Sequence, residues 1–410
     1  MRLGDEKPPA LWRNRNFVLL WIGSAVSILG SRASSIALPL LVLALTGSPV
    51  QAGWVAFAGV LPDLLLYPPA GPLVDRWDWR RVMVLAELGR GLAVCTLVIS
   101  LIFGTPGIAL IITVAFVEGT LGVFYRLAER ISVPSVVPTD QVAGAIASNE
   151  TRTHSAMLLG RSLGGFLFSL GRAVPFVVDA LSFAVSLGTL VSMRVTTRRP
   201  AHERRHILQE MLEGLGWVGR NPFLRADIVM SVGVGILVHA LILTFVASAQ
   251  QNGVSPFLVG VTLSAPGIGG VLGGLVAAPL FRRFGFSLVL AQMWIWTGAL
   301  ALPLLGVDVL PMMGTLLLSG FVGSVGNVAM NTYLVQQAPE HMLGRVSSVI
   351  LMSMFVGNAV GPVCGGFLTE HLGVDVTVRI LFAGMLLLTV WATTVPAIRR
   401  PSAFLAESTV

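Results

Sequence analysis

Residues 71–81 read Gly-Pro-Leu-Val-Asp-Arg-Trp-Asp-Trp-Arg-Arg, a charged stretch that separates two long apolar runs. A shorter version at 279–285, Pro-Leu-Phe-Arg-Arg-Phe-Gly, also separates two apolar runs. Leu73 and Leu280 occupy matching positions, and an arginine follows three residues later in each copy. Two stretches of the same kind, so far apart in the chain, indicate an internal repeat.

A second pair of matching segments supports this repeat. Gly-Gly-Phe-Leu occurs at 164–167 and again at 365–368, and Gly160 and Gly361 precede the two copies by the same interval. Repeated halves built from apolar spans are the architecture of secondary transporters, whose substrate site lies between the halves. We therefore predict an all-α integral membrane protein with twelve transmembrane helices in two pseudo-symmetric six-helix bundles.

The composition independently points to the membrane. Of 410 residues, 54% are hydrophobic and only 11% are charged, whereas soluble domains are about a quarter charged. At about 20 residues per span, the chain has room for about twelve spans with short loops. The formal charge of +7 comes from basic residues scattered between apolar runs rather than from a basic patch. A soluble enzyme and a nucleic-acid-binding protein are therefore not expected.

The apolar runs divide into two groups of six. We predict a first bundle over residues 1–193, a linker with an amphipathic helix over 194–225, and a second bundle with the C-terminal tail over 226–410. The predicted spans are 17–43, 50–72, 82–103, 108–125, 153–170, 173–193, 226–249, 256–280, 287–305, 311–333, 347–368 and 377–395.

The basic residues distinguish two ends of the predicted bundles. Loops 44–49, 104–107, 250–255, 306–310 and 369–376 contain no lysine or arginine, whereas the alternate loops, the linker and both tails contain most of the 27 basic residues. We call these the arginine-poor and arginine-rich ends. Because basic loops stay in the cytoplasm, we predict that both termini and the linker are cytoplasmic and that the chain lies in the bacterial cytoplasmic (inner) membrane.

Within the linker, residues 206–219 place Ile207, Met211, Leu215 and Val218 on one helical stripe. Such a stripe is typical of an amphipathic helix at the membrane interface. The alternative is a solvated tether that only joins the two halves.

The first charged stretch matches a known signature. Over essentially the whole chain, the sequence resembles the major facilitator superfamily, whose motif Gly-x-Leu-x-Asp-Arg-x-x-x-Arg-Arg is carried here by Gly71, Leu73, Asp75, Arg76, Arg80 and Arg81. The resemblance implies a conformational latch at the cytoplasmic end, in which the aspartate faces a helix end of the other half. The alternative is an ordinary basic loop.

Several segments are similar, more narrowly, to the macrolide-efflux and enterobactin-exporter branch. Asp78 supplies a second acidic residue in the latch, Glu87-Leu-Gly-Arg90 lies in the third span, and Asp179-Ala-Leu-Ser-Phe183 lies in the sixth. The resemblance implies export of a drug, a siderophore or another hydrophobic or amphipathic small molecule, in exchange for protons.

Three positions depart from the exporter pattern. Arg161 stands in the fifth span where exporters usually have proline, Ser31 stands where relatives often have an acidic residue, and Arg282 replaces the aspartate in the second latch copy. The loss of the fifth-span proline weakens the case for proton antiport. The eleventh span keeps the residues that the resemblance assigns to helix packing, Gly361, Pro362, Gly365 and Gly366.

Ionisable residues inside apolar spans are costly and mark candidate functional positions. The first and fourth spans line the central cavity in this superfamily, so we predict that Arg32 and Glu118 form the proton-coupling pair. Asp63 is a further protonation site or a contact for a cationic substrate. Arginine stays charged while a neighbouring carboxylate can bind and release a proton, as coupling requires. The alternatives are a static ion pair of Glu118 with Arg32 and, for Asp63, pairing with Arg161 or with another structural group.

Other polar residues in the spans have structural alternatives. Glu87 and Arg90 lie three apart on one helix face and are expected to pair, and Asp179 is expected to anchor packing. The same residue types could instead join helices through hydrogen bonds. The candidate contacts in the substrate cavity are polar residues of the seventh and tenth spans, His239, Asn327 and Asn331.

The sequence predicts neither an enzyme nor a cofactor. It has no Walker-type phosphate loop, and its two cysteines, Cys95 and Cys364, lie inside apolar runs. We expect a monomer that moves a small molecule by alternating access and exchanges it for protons. The alternatives are a proton-independent facilitator or uptake transporter, and a non-transporting membrane sensor with the same fold.

Overall fold

The computed structural model describes residues 11–194, 207–339 and 342–399, and all regular secondary structure in these ranges is helical. The linker contains helix α7, Ile207–Arg220. The first bundle consists of α1 (Arg15–Thr46), α2 (Pro49–Arg76), α3 (Trp79–Phe103), α4 (Ile108–Val136), α5 (Val142–Leu170) and α6 (Val174–Ser192). The second bundle consists of α8 (Pro222–Gln251), α9 (Pro256–Phe284), α10 (Leu288–Ala301), α11 (Val309–Gln337), α12 (Leu343–Leu372) and α13 (Val374–Thr394).

Two short elements complete the second bundle. A 3-10 turn, Leu302–Leu305, extends α10, and the short helix α14, Pro396–Arg399, follows α13. Ten stretches of the described residues are long and apolar enough to cross a membrane, and one of them, Pro256–Leu305, contains both α9 and α10. The long helix outside these stretches is α5, whose first half carries charged residues. The helices are thus consistent with twelve spans.

Side-chain caps explain where the first helices begin and end. Asn14 accepts a hydrogen bond from the backbone N–H of Phe17 at the start of α1, and Ser48 caps α2, where Pro49 occupies the first helical position. Asparagine and serine are favoured at this cap, and proline suits the first helical position because no N–H is needed there. Gly47 ends α1 with a φ of 67°, a backbone conformation that favours glycine.

The predicted loop between the fourth and fifth spans is wrong, because the structure makes most of it helical. Helix α4 continues to Val136, and α5 begins at Val142. Two charged residues of the predicted loop contact each other across these helices, because Arg152 of α5 forms a buried ion pair with Glu129 of α4. In such a pair each buried charge has a partner of opposite sign. The apolar pattern of the sequence does not show which charged residues pair in this way.

The two bundles pack their helices in the same pattern. In the first bundle, α1 contacts α5 and α6, α3 contacts α4 and α6, and α2 contacts α4. In the second bundle, α8 contacts α12 and α13, α10 contacts α11 and α13, and α9 contacts α11. Each of these contacts has its counterpart in the other bundle. The fold is therefore a pseudo-symmetric pair of six-helix bundles, as the sequence repeat predicts.

Glycines of the repeated pattern carry close contacts within and between the bundles. A methyl group on Gly365 of α12 would lie 2.6 Å from the Cα of Ala240 in α8, and Gly361 faces the same helix. Their neighbour Gly366 faces the first bundle instead, where a methyl group would lie 2.9 Å from the carbonyl carbon of Pro49. Small residues at such crossings let helix backbones approach each other.

Several close glycine contacts between the bundles lie towards the arginine-poor end. Pro49 begins α2 at that end, and Gly366 lies near the end of α12. At the crossing of α5 and α9, a methyl group on Gly165 would lie 3.0 Å from the Cα of Gly260, which is also near the arginine-poor end of both helices. The bundles therefore approach each other closely at this end.

Candidate functional site

Asp78 and Arg80 of the latch motif bind groups of their own bundle. Asp78 caps α3 by accepting hydrogen bonds from the backbone N–H groups of Arg80 at 2.9 Å and Arg81 at 3.2 Å. The Arg80 side chain donates to the carbonyl oxygens of Leu190 at 2.9 Å and Val191 at 2.8 Å, near the end of α6. A cation at a helix C-terminus is also favoured by the helix dipole. Arg80 thus joins the α2–α3 turn to α6.

The remaining latch residues make few described contacts. Arg76 and Arg81 are exposed, and a methyl group on Gly71 would meet open space. Asp75 lies in the last turn of α2, and its side chain is not among those described. The function of this motif as a latch stays a prediction.

Glu118 lies beside Arg90, and the predicted pair of Glu118 with Arg32 is wrong. The Glu118 Oε1 to Arg90 Nη2 distance is 3.5 Å, and the two side chains are only 12% and 9% exposed. The reason is packing, because α3 and α4 are direct neighbours. Arg90 also donates to the Ser31 hydroxyl at 2.6 Å. Ser31, a departure from the exporter pattern, thus contacts this ion pair.

Two further carboxyl groups surround Arg90 inside the first bundle. Glu87 accepts hydrogen bonds from Ser27 at 2.8 Å and Ser186 at 3.1 Å and interacts electrostatically with Arg90. Asp179 is fully buried and interacts electrostatically with Arg90, Glu87 and Glu118. We call this group the bundle cluster; its members are Glu87, Arg90, Glu118 and Asp179. Three carboxyl groups therefore interact electrostatically with one guanidinium, and Glu118 also forms an ion pair with it.

Asp63 forms an ion pair with Arg126, which is another structural group and not the named alternative partner Arg161. The pair joins α2 to α4, which are direct neighbours in the first bundle. The Asp63 side chain is 18% exposed and the Arg126 side chain is 43% exposed. This pair is therefore more accessible than the pair of Glu118 with Arg90. Because the apolar pattern places Arg126 in a loop, nothing in the sequence suggests that it pairs with Asp63.

Arg32 lies among other arginines rather than beside a single carboxylate. Arg161, Arg126, Asp63 and Arg90 are among the charged groups that interact with it electrostatically. Among the described residues, no hydrogen bond or ion pair involves its guanidinium. A glycine of the α5 packing pattern, Gly160, faces Arg32, and this lets α5 approach α1 closely.

Arg161 connects the two bundles. Its side chain donates a hydrogen bond of 2.8 Å to the carbonyl oxygen of Leu263 in α9. Pro266 interrupts the helical hydrogen bonds of α9 just beyond this point, and neighbouring helices commonly satisfy the groups near such a break. The next residue, Ser162, shares a hydrogen bond of 2.8 Å with Ser264 of the same helix.

The candidate substrate contacts are only partly brought together. His239 lies on α8, with Nδ1 2.8 Å from the carbonyl oxygen of Gly235, and it is within electrostatic range of Arg161. Asn331 donates to the side chain of Asn327 at 3.0 Å, and both residues are exposed on α11. We call the charged group around Arg32 and Arg161 the interface cluster; its members are Arg32, Asp63, Arg126, Arg161 and His239.

A carboxylate at the arginine-poor end was missed in the sequence. Glu370 of α12 accepts hydrogen bonds from the Ser48 hydroxyl at 2.5 Å and from the backbone N–H of Val50 at 2.9 Å. It therefore binds the start of α2 in the other bundle. Its position near the end of an apolar run suggested nothing more than a helix end.

The linker helix packs on the second bundle. Glu213 forms an ion pair with Arg345 of α12, and Val218 is buried. Leu212 and Leu215 are exposed, so part of the helix retains an uncovered apolar surface. The side chains of the other predicted stripe residues, Ile207 and Met211, lie outside those described. The contacts favour a docked helix over a free tether.

Two short sequence patterns have the spacing of hydrolase motifs. Gly-Arg-Ser-Leu-Gly at 160–164 has the spacing of a nucleophile elbow, but it lies inside helix α5 rather than at a strand-to-helix turn. His-Glu-Arg-Arg-His at 202–206 lies outside the described residues. Within the described part of the chain, no group of three or more His, Cys, Asp or Glu side chains could hold a metal ion.

Comparisons with known proteins agree over nearly the whole chain. Residues 7–404 match the family model described as transmembrane secretion effector. The multidrug efflux pump Tap of Mycolicibacterium fortuitum is 29% identical over 387 residues, which is 90% of this chain and 93% of that protein. Macrolide efflux protein A of Streptococcus pyogenes is 23% identical and covers 88% of this chain and 90% of its own length.

Solved structures share the fold at low sequence identity. A mutant form of the nucleoside transporter NupG has a TM-score of 0.76 at 12% identity and covers 93% of this chain and all of its own. A bacterial homologue of the lysosomal transporter Spinster, in an inward-facing conformation, has a TM-score of 0.68 at 14% identity and covers 98% of both chains. At such low identity, these likenesses establish the fold alone.

Proposed function

Because this chain belongs to the transmembrane secretion effector family of the major facilitator superfamily, we propose that it exports a hydrophobic or amphipathic small molecule in exchange for protons. Its relatives named as multidrug and macrolide efflux proteins support an efflux transporter. The proposed units of movement are residues 1–193 and 226–410, joined by the linker 194–225, in a monomer that alternates access between the two sides of the bacterial cytoplasmic membrane.

The observation that carries proton exchange is the bundle cluster. Glu87, Glu118 and Asp179 are three carboxyl groups that interact electrostatically with one guanidinium, that of Arg90. Like charges and low polarity both disfavour ionising all three at once, so such a group can hold an exchangeable proton. A movement that changes the Glu118–Arg90 contact would then bind or release that proton. Asp63 with Arg126 is the second, more accessible candidate.

The packing between bundles supports a state that is closed at the arginine-poor end. There, Gly366 lets α12 approach α2 closely, and Glu370 forms a hydrogen bond with the cap of α2. Gly165 lets α5 approach α9 closely at the same end. If both termini and the arginine-rich end are cytoplasmic, as their charge predicts, this state would receive substrate from the cytoplasm. The latch residues Asp75 and Arg76 would act in the opposite state, when the arginine-rich end closes.

Proton movement in inside-out vesicles tests this proposal. An acidified lumen is monitored with a pH-sensitive dye while amphipathic compounds are added, and exchange raises the lumenal pH. We expect the response to disappear in Glu118→Gln and to persist in Glu150→Gln, since Glu150 is an exposed residue of α5 outside both clusters. Compound-induced pH changes that are equal in wild type and Glu118→Gln would contradict a coupling function for Glu118.

Proton-independent transport is a second candidate, and Arg161 favours it. This arginine replaces the proline that exporters usually have in the fifth span, and it binds α9 through the Leu263 carbonyl group. A labelled compound that crosses the vesicle membrane down its gradient without a pH response would support this alternative. A compound that binds but never crosses would instead support a sensor.

A further inference from the structure

We propose that the interface cluster binds an anionic group of the transported molecule, such as a carboxylate, sulfonate or phosphate. The inference rests on the proposed export function and names its substrate class. Arg32, Asp63, Arg126, Arg161 and His239 come from five helices and include a single carboxylate.

The positive charges of the interface cluster outnumber its negative charges. The Asp63 carboxylate already pairs with Arg126. Arg32 and Arg161 have no ion-pair partner among the described residues, although each is partly buried. The three carboxyl groups of the bundle cluster interact with Arg90, and Glu118 forms its ion pair there. Two positive charges therefore remain without a matching negative charge.

A buried guanidinium without a partner is energetically costly. Arg32 and Arg161 lie well inside long apolar helices, where an ionised group normally has a partner or faces a water-filled passage. Each guanidinium presents five N–H donors in a planar fork that fits carboxylate and phosphate oxygens. Arg161 uses one donor on the Leu263 carbonyl oxygen. Among the described residues, no acceptor binds the Arg32 guanidinium. An anionic ligand would satisfy both.

The interface cluster has members on helices of both bundles. Arg32 lies in α1 of the first bundle, and Arg161 reaches α9 of the second bundle through the Leu263 carbonyl oxygen. His239, within electrostatic range of Arg161, lies in α8. An anion held by these residues would contact both bundles and would change its contacts when they move. A ligand can shift a conformational equilibrium only through such differential contacts.

The test uses the full chain in phosphatidylcholine nanodiscs and two pairs of probes that differ in charge. Anilinonaphthalene sulfonate is compared with phenylnaphthylamine, its uncharged parent, and dodecanoate is compared with dodecanol. Equilibrium dialysis measures binding beyond that of empty nanodiscs. We expect each anion to bind more tightly than its neutral partner, and Arg32→Gln or Arg161→Gln to weaken anion binding about tenfold.

Matched variants separate charge from folding. Arg32→Lys and Arg161→Lys keep the charge and should retain most anion binding, whereas Arg130→Gln removes an exposed arginine of α4 and should change nothing. The inference is overturned if neither anion binds more tightly than its neutral partner, or if anion binding survives both glutamine variants. Loss of folded protein in the lysine variants as well as in the glutamine variants would assign these arginines to folding and would also overturn it.

The outcome is independent of the test of proton exchange. Dialysis requires no turnover, so anion binding without proton movement would contradict only the antiport proposal. Proton movement driven equally by neutral and anionic compounds would contradict only the anion site.

Discussion

The Glu370 carboxylate of α12 accepts a hydrogen bond of 2.5 Å from Ser48, the residue that caps α2 in the other bundle. The same oxygen accepts the Val50 backbone N–H at 2.9 Å. A negative charge at a helix N-terminus is favoured by the helix dipole. Because the contact joins the bundles at the arginine-poor end, it stabilises only the states that are closed there.

Glu370→Gln should therefore shift the protein towards states that are open at the arginine-poor end. The amide removes the charge that the start of α2 binds, at a cost to the closed state of about 1 kcal/mol. Spin labels at exposed positions 46 and 371 would report a larger share of long distances. Asp375→Asn, an exposed change on α13, should leave the distances as they are. An unchanged distribution in Glu370→Gln would remove this contact from the closing mechanism.

Glu118 and Arg90 should behave as one unit in a double-mutant cycle. Combining Glu118→Gln with Arg90→Gln should destabilise the protein less than the two single changes add up to, because the second change removes a group already without its partner. The same cycle with Arg32→Gln should be additive. Melting temperatures in one detergent provide the measurement, and coupling of Glu118 to Arg32 instead of Arg90 would disprove the pairing.

Glu129→Gln should destabilise the protein strongly, since it leaves Arg152 charged and buried. Removing one partner of a buried pair costs about 3–5 kcal/mol. The matched change at an exposed acidic position of α5, Glu150→Gln, should have little effect. Thermal unfolding distinguishes the two. Equal melting temperatures would mean that the pair of Glu129 with Arg152 contributes nothing to holding α4 against α5.

Gly165→Val should hinder closure at the arginine-poor end, because the added side chain meets the backbone of Gly260 in α9. Overpacking of this kind costs about 1–3 kcal/mol. Export measured in vesicles should fall while the amount of folded protein is retained. Gly188→Val is the control, since its methyl group would meet open space. Normal export by Gly165→Val would show that this crossing can separate without loss of function.

Arg80→Gln should lower stability by about 1 kcal/mol, because the glutamine cannot keep both hydrogen bonds to the end of α6. Arg81→Gln, an exposed change next to it, should be nearly neutral. Thermal unfolding and export are measured on both variants. If Arg80→Gln abolishes export without any change in stability, Arg80 belongs to the switching mechanism rather than to the packing of α3 and α6.

The sequence predicts the fold because the spans and the repeat both depend on local pattern. The Gly-Gly-Phe-Leu copies at 164–167 and 365–368 lie on α5 and α12, which occupy equivalent positions in the two bundles. The helical ends of α4 and α5 were missed because charge suggested solvent. Only the distance between Glu129 and Arg152 shows that their charges cancel in a buried pair.

The sequence predicts several residues of the candidate site but not which of them contact each other. Arg32, Asp63 and Glu118 all lie among charged residues inside the first bundle. Their partners depend on which helices are neighbours, and the sequence does not contain that information directly. Arg90 contacts Glu118 because α3 packs on α4, while Glu87 is occupied by two serines from α1 and α6.

The unmatched arginines between the bundles also bear on electrical work. The membrane potential favours the exit of an anion from a cell with a negative interior. This movement releases about 2.3 kcal/mol of free energy per charge for each 100 mV. An anion released from Arg32 and Arg161 would carry its charge in that direction, and a proton entering in exchange would move a second charge with the same sense of current. The voltage would then drive both halves of the cycle, and collapsing it at constant pH would slow export.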